Sequence, residues 1–502
     1  MHGVVQPAGA VTARLMWRVE MKQKRQVLFV RLAPFLKART PHPRDILWPV
    51  SALYTAGILR RRGMESRILD TWQRVRPVHA LGAHIARLDP THLFLETRTP
   101  TVDLTLDLAS RLRRILPNVE IWAIGQHASE KPEDFLSEGT PFRGCVRGEI
   151  EPVVPRIVSG EEAVPGTSTW NDGIRHHGPV AELDDLDSLP MLDPSGLELD
   201  RYHMLSVHVP SFRRHRWGYL LTSRGCGYRC IFCSPTLRQS YGKRFRAQSP
   251  ERVAEEMARL HANHGITAFY ALDDLFTGDT DRVHAICDAI LARGLRVKWT
   301  IQTRMDHLDR PLLVHLREAG CVGIKVGIES GNQRVSEILA KHLDNEKVLA
   351  MAREMDRLGI NLTACYMVGN PTERLEEMED TVRFAHQVGA LMIQVAYHTP
   401  YPGSESYRRY ASSQEFDGRS HFDGIPANLS AVPDETLIRF HRNFYLRYYL
   451  SPAQILRYVR RRAVYKLFRA DELRLLIRTT GYLAHEGVKR KLGLSDAHPL
   501  ET

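Results

Sequence analysis

From Gln26 onward the chain alternates short apolar runs with stretches whose apolar residues recur at helical spacing. Val27-Leu28-Phe29-Val30 predicts a buried strand, followed by a loop holding Pro34, Pro41 and Pro43. Pro49 to Arg62 predicts a helix, with Val50, Leu53, Tyr54, Gly57 and Ile58 near helical spacing and Gly63 as its stop. Strand Ser66 to Asp70, helix Val78 to Arg87, strand Leu93 to Leu95, helix Asp103 to Leu116 and strand Ile121 to Ile124 continue the alternation. Such a rhythm over residues 26–160 predicts a doubly wound parallel sheet, which takes its ligands at the carboxyl ends of its strands. Residues 1–25 carry scattered Arg and Lys without an apolar core and are expected to be a flexible lead-in.

Residues 161–212 lack periodicity and are rich in Pro, Gly and Asp, which predicts a connector. The rhythm then returns over residues 213–430. Tyr219-Leu220-Leu221 opens it. Ser249-Pro250 follows, as N-cap and first helical residue of a helix to His264. Strands at 268–272, 296–301, 322–328, 361–368 and 391–397 alternate with helices, giving six βα units with the first strand. Six units make an open (β/α)6 partial barrel with its chemistry at the carboxyl ends of the strands. Residues 431–502 read as a helical C-terminal region. Its aromatic stripe (Phe440, Phe444, Tyr445, Tyr448, Tyr449, Tyr458) is a core stripe by default, or else a cover for the barrel mouth. The expected fold class is therefore α/β, with a Rossmann-like domain, a partial barrel and a small helical tail.

At 502 residues, with 43% hydrophobic and 25% charged positions, the chain has the composition of a globular protein of two or three domains. No apolar run approaches the length that spans a bilayer. The net charge of +11 owes much to Arg457, Arg460, Arg461, Arg462, Lys466 and Arg469, a run expected to form the solvated face of a terminal helix. Without an appended nucleic-acid module, that basic run does not by itself make RNA a partner. Seven cysteines, three of them clustered, do not form a disulfide framework, and a cytoplasmic location is expected.

The clustered cysteines carry the chemistry. Cys226, Cys230 and Cys233 lie at C-x3-C-x2-C spacing in a loop marked by Gly225, Gly227 and Pro235, straight after the first barrel strand. A closed zinc or iron–sulfur site takes four protein ligands. Three cysteines on a four-iron cluster leave one iron open to something that is not protein. Of the other cysteines, Cys287 and Cys321 read as core. Cys365 sits where strand alternation could point it into the barrel, as packing or as a thiol that returns a hydrogen atom to a substrate radical.

The segment Thr222 to Pro235 resembles the cluster loop of the radical SAM superfamily. The resemblance implies a [4Fe-4S] cluster on Cys226, Cys230 and Cys233 whose open iron is chelated by S-adenosylmethionine (SAM). It further implies SAM contacts at Phe232 beside the adenine, at Asp273 and Asp274 for the ammonium, and at Thr303, Arg304 and Glu329 for ribose and carboxylate. From chemistry alone the Asp273-Asp274 pair also suits a metal ion. Lys341 falls at a lysine recurring in the family, but reads first as a helix-end cation.

Residues 25–160 resemble the cobalamin-binding N-terminal domain of one radical SAM class. The likeness rests on the proline loop, the Leu-Tyr-x-Ala-Gly helix, the Thr-Pro loop, Gly-x-His-Ala and Arg-Gly-Glu. It implies cobalamin contacts at Thr97, Gly125, Gln126, His127, Gly148 and Glu149. Gln126 replaces the usual second glycine, and no Asp-x-His-x-x-Gly segment offers a histidine to cobalt. Cys145, alone in this domain, argues against methylthiotransferases, which carry three cysteines there. The class implies a C-methyltransferase that acts on an unactivated carbon of a small molecule. In it, reductive SAM cleavage starts a radical reaction, methylcobalamin gives the methyl group, and flavodoxin or ferredoxin supplies electrons. The alternatives are a radical dehydratase, epimerase or oxidative cyclase whose cobalamin domain is empty or differently used, and an RNA-modifying enzyme.

Overall fold

A computed structural model describes residues 25–33, 47–72, 78–202, 215–233, 244–411 and 427–464. The expected lead-in, the proline loop and the basic residues beyond Val464 lie outside the described residues. In the first unit, strands β1 (Gln26–Arg31), β2 (Glu65–Asp70), β3 (His92–Glu96), β4 (Glu120–Ile124) and β5 (Gly144–Val146) run parallel. They are connected through helices α1 (Val50–Arg61), α2 (Val78–Leu88), α3 (Val102–Ile115) and the one-turn α4 (Gln126–Glu130). After the short α5 (Val154–Val158), the sheet gains two antiparallel strands, β6 (Thr167–Trp170) and β7 (Ile174–His177), in the order β2-β1-β3-β4-β5-β6-β7.

That hairpin falls in the stretch expected to be a connector. Its strands are short and polar, so hydrophobic periodicity does not mark them. The signal was Asn171-Asp172-Gly173, a turn in which Asp172 and Gly173 both take positive φ. The rest of the connector is packed as well. Leu186, Leu189, Leu192 and Tyr202 join Trp48, Val50 and Tyr54 of the first unit in one apolar core with the barrel.

The second unit is a six-stranded parallel sheet in the order β15-β14-β13-β12-β11-β8. Its strands are β8 (Trp217–Leu220), β11 (Ala268–Ala271), β12 (Lys298–Thr303), β13 (Cys321–Glu329), β14 (Asn361–Val368) and β15 (Met392–Tyr397). A two-residue pair, β9 (Ser223–Arg224) with β10 (Arg246–Ala247), braces the start of the cysteine loop. Helices α6 (Pro250–His264), α7 (Thr280–Ala292), α8 (Arg310–Glu318), α9 (Gln333–Ile338), α10 (Asn345–Leu358) and α11 (Leu375–Val388) cover the outside. Ile324, Val326 and Ile328 of β13 are therefore sealed, while Lys325, Gly327 and Glu329 between them keep partial exposure. The same alternation leaves Gln302, Cys365, Gln394 and Ala396 part-exposed on the concave face, which makes that face a polar lumen.

An open barrel leaves the backbone of β15 unpaired along one side. Helix α12 (Asp434–Tyr449), followed by α13 (Pro452–Val464), closes it. The Tyr445 hydroxyl accepts from Val395 N at 2.7 Å and donates to its carbonyl at 3.1 Å; the Tyr449 hydroxyl accepts from Ile393 N at 2.9 Å. Tyr448 and Gln454 both donate to the Ala390 carbonyl. The aromatic stripe is a core stripe, as expected, with Phe440, Phe444 and Tyr448 buried in the barrel core, and the hydroxyls of Tyr445 and Tyr449 also cap the barrel's edge strand. Tyr445→Phe and Tyr449→Phe each leave a backbone N–H without its acceptor. Each substitution should cost about 1–3 kcal/mol, read as a lowered urea midpoint.

Candidate functional site

The carboxyl ends of both parallel sheets face one cavity of about 380 Å³. Gly125, Gln126, Gly148 and Glu149 border it from the first sheet, and Tyr270, Asp274, Gln302 and Lys325 from the barrel. At Gly148 the backbone takes φ 87° and runs so close to Val180 and the Ala181 carbonyl that no Cβ fits. Strand ends from two folding units therefore line a single volume, as strand-end sites in α/β proteins do singly.

The junction is held by buried ions. Arg224, fully buried, donates to Glu149 Oε2 at 2.8 Å and Glu151 Oε1 at 2.7 Å. Arg246 donates to Glu149 Oε1 at 2.7 Å, and Leu183 N to Glu149 Oε2 at 2.8 Å. Burial pushes the Glu149 carboxyl up, and the two guanidiniums pull it back. Glu149, expected to meet cobalamin, thus spends both oxygens on the seam between the two units. Nothing in a linear motif pairs residues this far apart, so sequence reasoning missed Arg224 and Arg246 as partners of Glu149.

His127 differs from expectation for a similar reason. It is buried behind the loop, with Nδ1 3.1 Å from Thr99 Oγ1 and Nε2 2.7 Å from Asp134 Oδ2. Both ring nitrogens are engaged, so it clamps the loops around the cavity and does not line it. Thr97 is also sealed, its hydroxyl on Leu95 O and Thr105.

In the barrel, Asp273 takes Thr222 N at 2.7 Å on one oxygen, and the hydroxyls of Thr222 and Ser223 at 2.6 Å on the other. It fixes the strand that enters the cysteine loop and faces away from the cavity. Asp274, which borders the cavity, accepts from Gly225 N at 3.2 Å. Burial, with Asp273 adding to it, holds the Asp274 carboxyl well above the usual range.

Arg304 lies against the cysteine loop. Its guanidinium stacks 3.7 Å from the Tyr228 ring centroid and donates to Asp306 at 3.0 and 2.8 Å. It also reaches the Lys341 carbonyl at 2.8 Å and Cys230 Sγ at 3.8 Å. Its charge is thus shared between Asp306 and a cysteine sulfur. Tyr228 is latched to His307 Nε2 at 2.6 Å, and His307 Nδ1 to the Thr277 carbonyl at 2.7 Å. Thr303 bonds Thr277 through their hydroxyls. Phe232 packs with Ile231, Val335, Leu339 and Met367.

Glu329 is one of few non-glycine residues at positive φ (70°), beside an irregularity in the β13–β14 register. Its carboxylate folds back over Gly327 and meets Lys341 Nζ at 3.4 Å. Lys341 is therefore turned inward and buried, and is not a helix-end cation. Strain of this kind at a non-glycine residue marks functional loops. Cys365 lies on the lumen, its sulfur donating to Gln394 Oε1 at 3.5 Å, and burial keeps the thiol protonated by raising its pKa. Cys226, Cys230 and Cys233 are all part-exposed, and the space a Cβ would take at Gly227 is open. Among the described residues no three His, Cys, Asp or Glu side chains converge to hold a single metal ion.

Residues 220–385 match the radical SAM superfamily. The barrel is a radical SAM domain. Three quarters of the chain is similar in fold to the radical SAM methyltransferase TsrM from Kitasatospora setae, solved with cobalamin and a [4Fe-4S] cluster. The TM-score is 0.59 at 19% identity, covering 75% of this chain and 74% of that one. In sequence the chain is 27% identical over 421 residues to an uncharacterized methyltransferase of Pyrococcus horikoshii, covering 82% of this chain and 89% of that protein. It is 25% identical over 433 residues to the anaerobic magnesium-protoporphyrin IX monomethyl ester cyclase of Cereibacter sphaeroides, covering 81% and 68%. The match runs from the last residue of β8 through most of α11, so it takes in the cysteine loop, Asp273, Asp274, Arg304, Glu329 and Cys365 and leaves out β15. Arg224 stands at the domain's entrance, and Arg224→Met would take the guanidinium from buried Glu151 and leave Glu149 with Arg246 and Leu183 N. We expect a loss of about 3–5 kcal/mol, measured by urea unfolding, and a smaller loss for Glu151→Gln, which keeps one hydrogen bond.

Proposed function

We propose that the protein is a cobalamin-dependent radical SAM C-methyltransferase that acts on an unactivated carbon of a small molecule. The observation that carries this reading is the single cavity bordered by both sets of strand ends. A cofactor on the first sheet and one on the barrel would address the same substrate atom. When bound, the cluster supplies the electron for reductive cleavage of SAM, and cobalamin supplies a transferable methyl group.

The residues present fit these groups. Cys226, Cys230 and Cys233 offer three thiolates on a loop with open space at Gly227, and Arg304 places positive charge beside Cys230. Asp274, a buried carboxyl on the cavity wall, would accept a hydrogen bond from the methionyl amino group. Glu329, with Lys341 behind it, presents a carboxylate to the ribose. Gly125, Gln126 and Gly148 bring backbone and a small amide to the corrin side of the cavity. Both nitrogens of His127 are engaged, so that histidine is not offered to cobalt. Gln302, Lys325 and Gln394 supply polar groups that orient a substrate in the lumen. A protein of net charge +11 suits an acidic electron carrier of the flavodoxin or ferredoxin kind.

The likeness to a ring-forming cyclase favours one second reading, radical chemistry without methyl transfer. Cys365, a protonated thiol on the lumen, would then return a hydrogen atom to the substrate radical. Under anaerobic reduction the wild type should cleave SAM to 5′-deoxyadenosine, and Cys226→Ala, Cys230→Ala and Cys233→Ala should not. Products of methyl transfer gain about 14 Da, and methyl-deuterated SAM should pass its label to them. Turnover that yields an unlabelled product of unchanged or lower mass would establish the cyclase-like reading instead.

A further inference from the structure

Far along the chain from the cysteine loop, a buried polar chain runs from the end of β14, past β15, to that loop's backbone. Its members are Glu373, Asn370, His398 and Ser406, none of them more than 1% exposed. The Asn370 Nδ2 group donates to the Met367 carbonyl at 3.1 Å and to Glu373 Oε2 at 3.1 Å. Both partners are acceptors, which fixes the amide with Oδ1 toward His398. His398 Nδ1 lies 3.1 Å from that Oδ1 and must donate to it, so Nδ1 carries the ring proton. Nε2 is then an acceptor, and it takes the Ser406 hydroxyl proton at 2.7 Å. Burial, which drops the imidazole pKa to about 3, keeps the ring neutral.

The chain ends on Ile231, between two of the three cysteines. Ser406 N donates to the Ile231 carbonyl at 3.0 Å, and Ile231 N donates to the Leu339 carbonyl at 3.1 Å. The turn itself is closed by Cys233 N on the Cys230 carbonyl at 3.1 Å. The Ile231 residue is thus pinned on both sides, and one pin is the backbone N–H of Ser406, a residue whose hydroxyl the imidazole holds.

We propose that His398 is a positioning residue for the cluster: through Ser406 it fixes the Ile231 peptide and so the geometry of the Cys230–Cys233 turn. The inference rests on the reading that these cysteines hold a [4Fe-4S] cluster. Outer partners that orient metal-binding groups govern both affinity and electronic properties.

Three variants test it in the full-length protein after anaerobic reconstitution with iron and sulfide. Ser406→Ala removes only the hydroxyl. His398→Asn keeps a donor near Nδ1 and loses the acceptor, and His398→Gln can place its carbonyl oxygen near Nε2. We expect Ser406→Ala and His398→Asn to take up iron as the wild type does, but to lose it to a chelator about 10-fold faster and to give an altered reduced-cluster EPR spectrum. His398→Gln should recover toward the wild type in both readouts. A Ser406→Ala protein with wild-type iron, chelator kinetics and EPR spectrum would overturn the proposal and leave the cluster assignment intact. Wild-type protein that takes up no iron would overturn the assignment on which the proposal rests.

Discussion

The buried pairing of Arg224 with Glu149 and Glu151, extended by Arg246, is the constraint on which the rest of the arrangement depends. Glu149 ends the first sheet's cavity edge, and Arg224 stands two residues before the first clustered cysteine. Ions this deep are costly to desolvate and tolerate no partial engagement. The two units must therefore dock in one geometry, and that geometry sets the cysteine loop against the first sheet's strand ends. Tyr54 on Glu256 and Tyr202 on Asp70 add two further buried polar contacts along the same seam.

The seam also explains how the polar residues divide between work and support. Carboxylates at strand ends are the groups that a sequence motif marks for ligands. In the structure, Asp273 and Glu149 each have both oxygens taken by the protein, whereas Asp274 borders the cavity and accepts from Gly225 N. Arg304 braces the cysteine loop through Tyr228 and Cys230, and would meet a cofactor only from that position. Glu329, at positive φ and folded over Gly327, is a barrel carboxylate paired with Lys341.

Much of this was legible from the chain alone. The parallel order of both sheets followed from apolar strands alternating with helical periodicity, and the strand-end location of Gly125, Gln126 and Asp274 followed from the same pattern. What escaped was direction and partnership. A motif places His127 on a loop but does not say that Thr99 and Asp134 will take both its nitrogens. Polar strands such as Thr167–Trp170 carry no hydrophobic period, so their hairpin was legible only in its turn. The aromatic stripe on α12 was legible as core, but the sequence does not say that Tyr445 and Tyr449 will also cap the backbone of β15 with their hydroxyls.

The account's central claim is that two cofactor-bearing units share one cavity, and metal content tests it most directly. The protein would be reconstituted anaerobically with iron, sulfide and hydroxocobalamin, desalted, and assayed for iron and cobalt alongside its visible spectrum. The account predicts about four irons and about one cobalt retained per chain. Four irons with no retained cobalt would contradict it, leaving a radical SAM domain beside a sheet that carries no corrinoid.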